Sequence, residues 1–283
     1  MSILQTAKGI SLIPNNKLHI IMGFPGSGKT TLAGTYPKPM LFVQIGDDGG
    51  GIVMSNWDDK DINFILLESD KNGTIYVKLM QLLKELKEQP TLYKTVVIDA
   101  YSSIEENMIS TAVQTKGKTL SWDERGAITQ AMVNLRDTIV NLSKVTPMTF
   151  VEITHLKSAE STDNISGETT VRYIPKMSQN NGNIMLERAN NIMYCTRKVV
   201  ADENGQPTVK FLTYIGAHPN IDTKYRYKSP LLSEDSGIYI ENCTYEKIQS
   251  LSDSTTELKQ VTVIEPIKKE DTNPFNTQEA KEW

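Results

Sequence analysis

The sequence predicts an α/β domain built on a mostly parallel central sheet flanked by helices. Two observations carry this. Short β-branched apolar runs alternate with amphipathic stretches, and the first run passes directly into a glycine-rich turn followed by an apolar helical start. In chain order the predicted strands are "LHIIMG" (18–23), "MLFVQI" (40–45), "INFILL" (62–67), "TVVIDA" (95–100) and "MTFVEIT" (148–154). The clearest helices are "GTIYVKLMQLLKELKEQ" (73–89), with apolar residues at three- and four-residue steps, and a longer one from about Asp123 to Lys144. After His155 the stretch "LKSAESTDNISGETT" is polar and without period, so it reads as a long mobile loop. Two further strands, "NNIMYCTRKVV" and "PTVKFLTYIG", flank "ADENGQ", whose Asn204-Gly205 pair signals a hairpin turn.

A net charge of −4 gives no global basic field, so any contact with nucleic acid has to come from a local patch. The only two cysteines, Cys195 and Cys243, lie far apart with no CxxC spacing, which argues against a disulfide framework or a zinc site. Both read as buried or half-buried thiols. The N-terminus lacks a basic stretch followed by a long apolar one. No run approaches the roughly 18 apolar residues that span a bilayer. The expectation is a soluble cytoplasmic protein with no membrane partner.

The turn after the first strand is "GFPGSGKT", Gly23, Phe24, Pro25, Gly26, Ser27, Gly28, Lys29 and Thr30, followed by Thr31. It satisfies G-x-x-x-x-G-K-[ST] in the required context, strand before and helix after, and predicts a P-loop for ATP. Glycines let backbone N–H groups turn toward phosphate oxygens at a helix start. Lys29 adds a point charge toward the β and γ phosphates, and the Thr30 hydroxyl can ligate Mg²⁺. The second magnesium ligand is expected at the end of a buried apolar strand beside the first, which selects Asp99 of "TVVIDA". Ala100 follows it, so no carboxylate adjoins the magnesium aspartate. A water-activating base is then sought at the end of the second strand, in "FVQIGDDGGG". Asp48 is the first choice and Asp47 the second, with a plain Asp-Gly turn as the other reading.

Four stretches in order, "GFPGSGKTTLAGTYPKP", the acidic pair before glycines, "VVIDAYSSI" and "FVEITHLKS", resemble the RecA-like P-loop ATPases of bacteriophages. That group of phage nucleotide-binding proteins includes single-strand-annealing recombinases. The resemblance spans roughly residues 15–230 and implies a RecA-like ATPase domain (15–252) after an N-terminal segment (1–14). An aspartate at 47 or 48 would replace the group's catalytic glutamate, one methylene shorter. His155, or alternatively Thr154, would be the γ-phosphate sensor. The loop from Leu156 to about Thr170, with Lys157, would be the second DNA loop, and "QTKGKTLSWDER" (114–125) the first. There Lys116 and Lys118 would neutralise phosphates and Trp122 would stack on a base; a solvated basic turn with the tryptophan packed on the body is the other reading. Lys224 and Arg226 of "KYR" resemble a K-x-R finger inserted into a neighbouring subunit's site, which implies a homo-oligomeric ring or filament.

Residues 253–283 have few large apolar residues and mixed charge, and are expected to be mostly disordered. The end, "DTNPFNTQEAKEW", resembles the docking tips of single-strand-binding proteins, which would make such a protein or a replication protein its partner.

The leading expectation is a Mg²⁺- and ATP-dependent homo-oligomer acting on single-stranded DNA in phage recombination or replication, in the host cytoplasm. A nucleotide-switched binding or loader module with little turnover is the alternative. A small-molecule kinase fits worse, because such enzymes clamp two nucleotides with lid arginines and no arginine lies between Lys29 and Arg125.

Overall fold

Period-two alternation along the first strand, β1 (Leu18–Gly23), sorts its side chains into two cores. Leu18, Ile20 and Met22 face one cluster and Ile21 faces the other. In the computed structural model the described residues are 17–46, 60–70, 73–117, 119–162, 169–201, 205–226, 237–251 and 261–264. After β1 come helix α1 (Lys29–Ala33), strand β2 (Met40–Ile45), edge strand β3 (Ile62–Leu67) and helix α2 (Ile75–Glu88). Then follow β4 (Thr95–Asp99), α3 (Ser102–Lys116), α4 (Trp122–Val145) and β5 (Thr149–Thr162). The chain continues through β6 (Thr169–Pro175), α5 (Gln179–Glu187), β7 (Asn191–Ala201) and β8 (Pro207–Gly216). Last are β9 (Lys224–Tyr225), β10 (Gly237–Glu241), α6 (Tyr245–Ser250) and β11 (Val261–Ile264).

The main sheet has the order β11-β10-β8-β7-β1-β5-β4-β2-β3. From β3 to β7 every pairing is parallel. From β7 through β8 and β10 to β11 every pairing is antiparallel. Helices α2, α3, α4 and α5 cover one face of the sheet, and α1 and α6 cover the other. Residues 261–264, expected within the disordered tail, pair with β10 as a strand; the rest of 253–283 lies outside the described residues, as do 1–14.

Two expectations change here. Asp99 does not sit on a strand beside β1, because β5 runs between β1 and β4 and pairs with both. The stretch after His155 is not a long loop. Residues 156–162 continue β5 and pair antiparallel with β6, Leu156 opposite Pro175 through Thr162 opposite Thr169, leaving 163–168 outside the described residues. A ribbon exposed along most of both strands has no apolar alternation to show in sequence; backbone hydrogen bonds hold it instead. No helix among the described residues is long and apolar enough to cross a membrane.

Helix α4 begins with a capping box. The Ser121 hydroxyl accepts from the Glu124 amide and the Glu124 carboxylate accepts from the Ser121 amide. Mid-helix, Arg136 reaches the central strand, donating to both oxygens of Glu152 at 2.8 and 2.6 Å, with side chains 1% and 0% exposed. Its guanidinium lies 5.0 Å from the Tyr101 ring centroid. An ion pair so completely desolvated tolerates loss of both charges far better than loss of one. Arg136→Met should lower unfolding free energy by about 3–5 kcal/mol in denaturant titration, because Glu152 is left buried and unpaired. Adding Glu152→Leu should restore most of that loss.

Candidate nucleotide-binding site

Parallel strands aim the carboxyl ends of β1, β5, β4 and β2 at one edge of the sheet. Register sets what meets there: Gly23 stands opposite His155, Asp99 opposite Ile153, and Gln44 opposite Asp99. Bending from β1 into α1, the P-loop closes this edge. Gly23 has no room for a side chain, since a Cβ there would lie 2.4 Å from Ser27 Oγ and 2.5 Å from the Cys195 carbonyl oxygen. Gly28 caps α1 in the left-handed region at φ +86, with no side-chain cap on the first amides of the helix.

Lys29 is buried, and its ammonium donates to the Phe24 carbonyl oxygen at 2.9 Å, arching back over the loop. The Thr30 hydroxyl donates to Asp99 Oδ2 at 3.0 Å across the width of β5. Asp99 itself is buried, and the peptide bond to Ala100 is cis. The residues fit a magnesium nucleotide. Mg²⁺ typically takes one or two protein oxygens and completes its shell with phosphate and water, as Thr30 and Asp99 allow. Ser27 Oγ is buried beside the loop with no hydrogen-bond partner among the described residues.

Of the proposed sensors, Thr154 is fully buried while His155 is half-buried, its amide near Ser102 Oγ at 3.4 Å and its carbonyl accepting from the Lys176 amide at 2.8 Å. Strand β5 does not stop at this sensor position but leaves the main sheet there to enter the ribbon. Asp47 and Asp48 lie outside the described residues; β2, which precedes them, ends beside β4 on the side away from β1. Cys195, under the loop, has its thiol pushed up to about 11 by burial, against a weaker opposing bond with Thr213. Both cysteines are free.

Lys224 and Arg226 are not brought to this edge. Lys224 pairs with Ile192 and Tyr225 with Asn191, near the amino end of β7, and Asn191 in turn aligns with His19. At ~3.3 Å per residue that is about 13 Å from Gly23 along the strands, toward their amino ends. The Lys224 ammonium donates to the Glu187 carbonyl oxygen at 3.0 Å, and burial, with Arg226 nearby, lowers its pKa.

The DNA candidates divide. Trp122, first residue of α4, is 89% exposed and so is not packed on the body. It lines an open groove of about 630 Å³ together with Arg125, Ile128, Lys157 and Lys176. Lys157 is tied to the groove wall, donating to the Met177 carbonyl oxygen at 2.7 Å. Lys116 closes α3 and Lys118 lies outside the described residues.

One residue escaped sequence reasoning. Arg197 on β7 lies against the P-loop, its Nη1 3.4 Å from where a Cβ on Gly26 would be. The signal was period two: Met193 and Cys195 are buried on the α1 face, and Arg197 is next on that face.

A P-loop leading from the first strand of a parallel sheet, with a buried aspartate bonded to its threonine from a strand two places away, defines a P-loop nucleotide-binding protein. The chain belongs to the AAA domain family, whose profile matches residues 15–227. No curated protein matches its sequence. Gly23→Ala should abolish binding of a fluorescent ATP analogue, because the new methyl would displace Ser27 and the Cys195 backbone; retained affinity would mean that the loop relaxes at no functional cost.

Proposed function

We propose that the protein is a Mg²⁺-dependent, RecA-like ATPase that acts on single-stranded DNA in phage recombination or replication. The observation that carries this reading is the Lys29, Thr30 and Asp99 constellation at the carboxyl edge of the sheet. A bound Mg²⁺, held by Thr30 and Asp99, would supply positive charge against the charge building on the phosphates. Lys29 would leave the Phe24 carbonyl for a phosphate oxygen. Thr30 and Asp99 would hold the metal, and the loop amides would orient the triphosphate. His155, aligned with Gly23 on the strand between the loop and Asp99, would report on the γ phosphate. Asp48 or Asp47 would polarise the attacking water.

The DNA reading is supported by the groove, where an exposed tryptophan provides a stacking face beside Arg125, Lys157 and Lys176. The groove adjoins the nucleotide edge through the Lys176 to His155 backbone bond. Lys224 and Arg226 lie near the amino end of β7, away from their own phosphate loop, which favours action in a neighbouring copy of a homo-oligomer. A nucleotide-switched module with little turnover is the second reading, favoured by the buried Ala100 that stands where a carboxylate next to Asp99 would be.

ATP hydrolysis by the purified protein, with and without a single-stranded oligonucleotide, tests the proposal. Turnover should rise with DNA and vanish in Lys29→Ala. Trp122→Ala should weaken oligonucleotide binding by the ~1–3 kcal/mol of one stacked base without changing basal turnover. Arg226→Ala mixed into wild type should depress activity beyond its own share. ATP binding without DNA-stimulated turnover would favour the switched module instead.

A further inference from the structure

Strand β7 outruns its neighbour β1. Gly23 pairs with Cys195, the last register pair between them, and β7 continues for six more residues with, among the described residues, only β8 beside it. Side chains beyond Cys195 on the α1 face therefore stand at the height of the phosphate loop and above it. The first of them is Arg197, and its partner across the hairpin is Phe211. Both meet the loop. Nη1 of Arg197 is 3.4 Å and Cζ 3.8 Å from the position a Cβ on Gly26 would take, and the Phe211 ring is 3.1 Å from that of Gly28. The Phe211 ring is 40% exposed, and Arg197 is exposed with no hydrogen bond or ion pair among the described residues.

A guanidinium offers five donors in a planar fork that matches phosphate oxygens. Held against a phosphate loop whose helix start carries no side-chain cap, and bonded to no other described residue, it is a phosphate ligand in waiting. We infer that Arg197 binds the phosphates of the nucleotide held by its own subunit, as a second cation beside Lys29, with Phe211 as the apolar wall that fixes its approach. This rests on the nucleotide reading of the P-loop. It assigns to the subunit itself part of the positive charge that the sequence resemblance placed in a neighbour's Lys224 and Arg226.

The test measures equilibrium binding of ATP, ADP and AMP, with Mg²⁺, to the wild type and to Lys29→Ala, Arg197→Ala, Arg197→Lys and Phe211→Ala, over a range of protein concentrations. Arg197→Ala should bind ATP and ADP roughly tenfold to a hundredfold more weakly, the range of one charged hydrogen bond. AMP affinity and the apo-protein Tm should stay near wild type, and Arg197→Lys should recover part of the loss. Phe211→Ala should show a smaller loss with the same ATP and ADP selectivity. Because the contact is within one subunit, the effect should not depend on protein concentration. Wild-type ATP affinity in Arg197→Ala, with Lys29→Ala defective, overturns the assignment and leaves the nucleotide site standing. So does a loss that is equal for all three nucleotides, or one seen only at concentrations where copies associate. No nucleotide binding by the wild type overturns both.

Discussion

The pairing of Arg136 with Glu152 is the constraint on which the functional edge depends. Glu152 sits in the middle of β5, the strand that separates β1 from β4, and nothing else among the described residues is shown to neutralise it. A carboxylate at the centre of a parallel sheet is costly unless a cation is brought to it in fixed geometry. Helix α4 brings that cation and is thereby held in register with the sheet. Two consequences follow from one contact. Strand β5 delivers His155 between the P-loop and Asp99, and α4 presents Trp122 at its capped start.

The ribbon continues the same logic. When β5 leaves the main sheet at His155 it does not end, and its partner β6 carries Tyr173 back toward the nucleotide edge. There the Tyr173 ring meets Phe24 of the P-loop edge-on, centroids 5.3 Å apart. Tyr173 also stacks on Tyr194, which stacks on Tyr214, so an aromatic ladder runs from the phosphate loop across the antiparallel half of the sheet.

Legibility in the sequence followed burial. Strands covered on both faces, such as "LHIIMG" and "TVVIDA", are continuous apolar runs and could be read with boundaries close to those observed. Helix α2 announced itself by Ile75, Leu79, Leu83 and Leu86 on one face. The ribbon could not be read, because water covers most of it and its order lies in backbone pairing. Strand order could not be read either, since crossover connections leave no local mark, and this is why β5 between β1 and β4 was unforeseen. The P-loop, Thr30 and Asp99 were legible as motifs. Arg197 was not, because its position depends on how far one strand outruns another, a property of two segments about 170 residues apart.

The placement of the basic pair constrains any assembly. The P-loop occupies the carboxyl edge of the sheet, while Lys224 and Arg226 occupy the amino edge. The pair of one copy can reach the loop of another in two ways. In a two-fold dimer the copies run antiparallel and the contact is made twice, pair on loop and loop on pair, within one isologous interface. Repeated head to tail, the same contact is heterologous, and it either closes after a whole number of copies or propagates without limit. The number of copies is then set by the rotation between neighbours, a quantity carried by the interface rather than by any residue of the site.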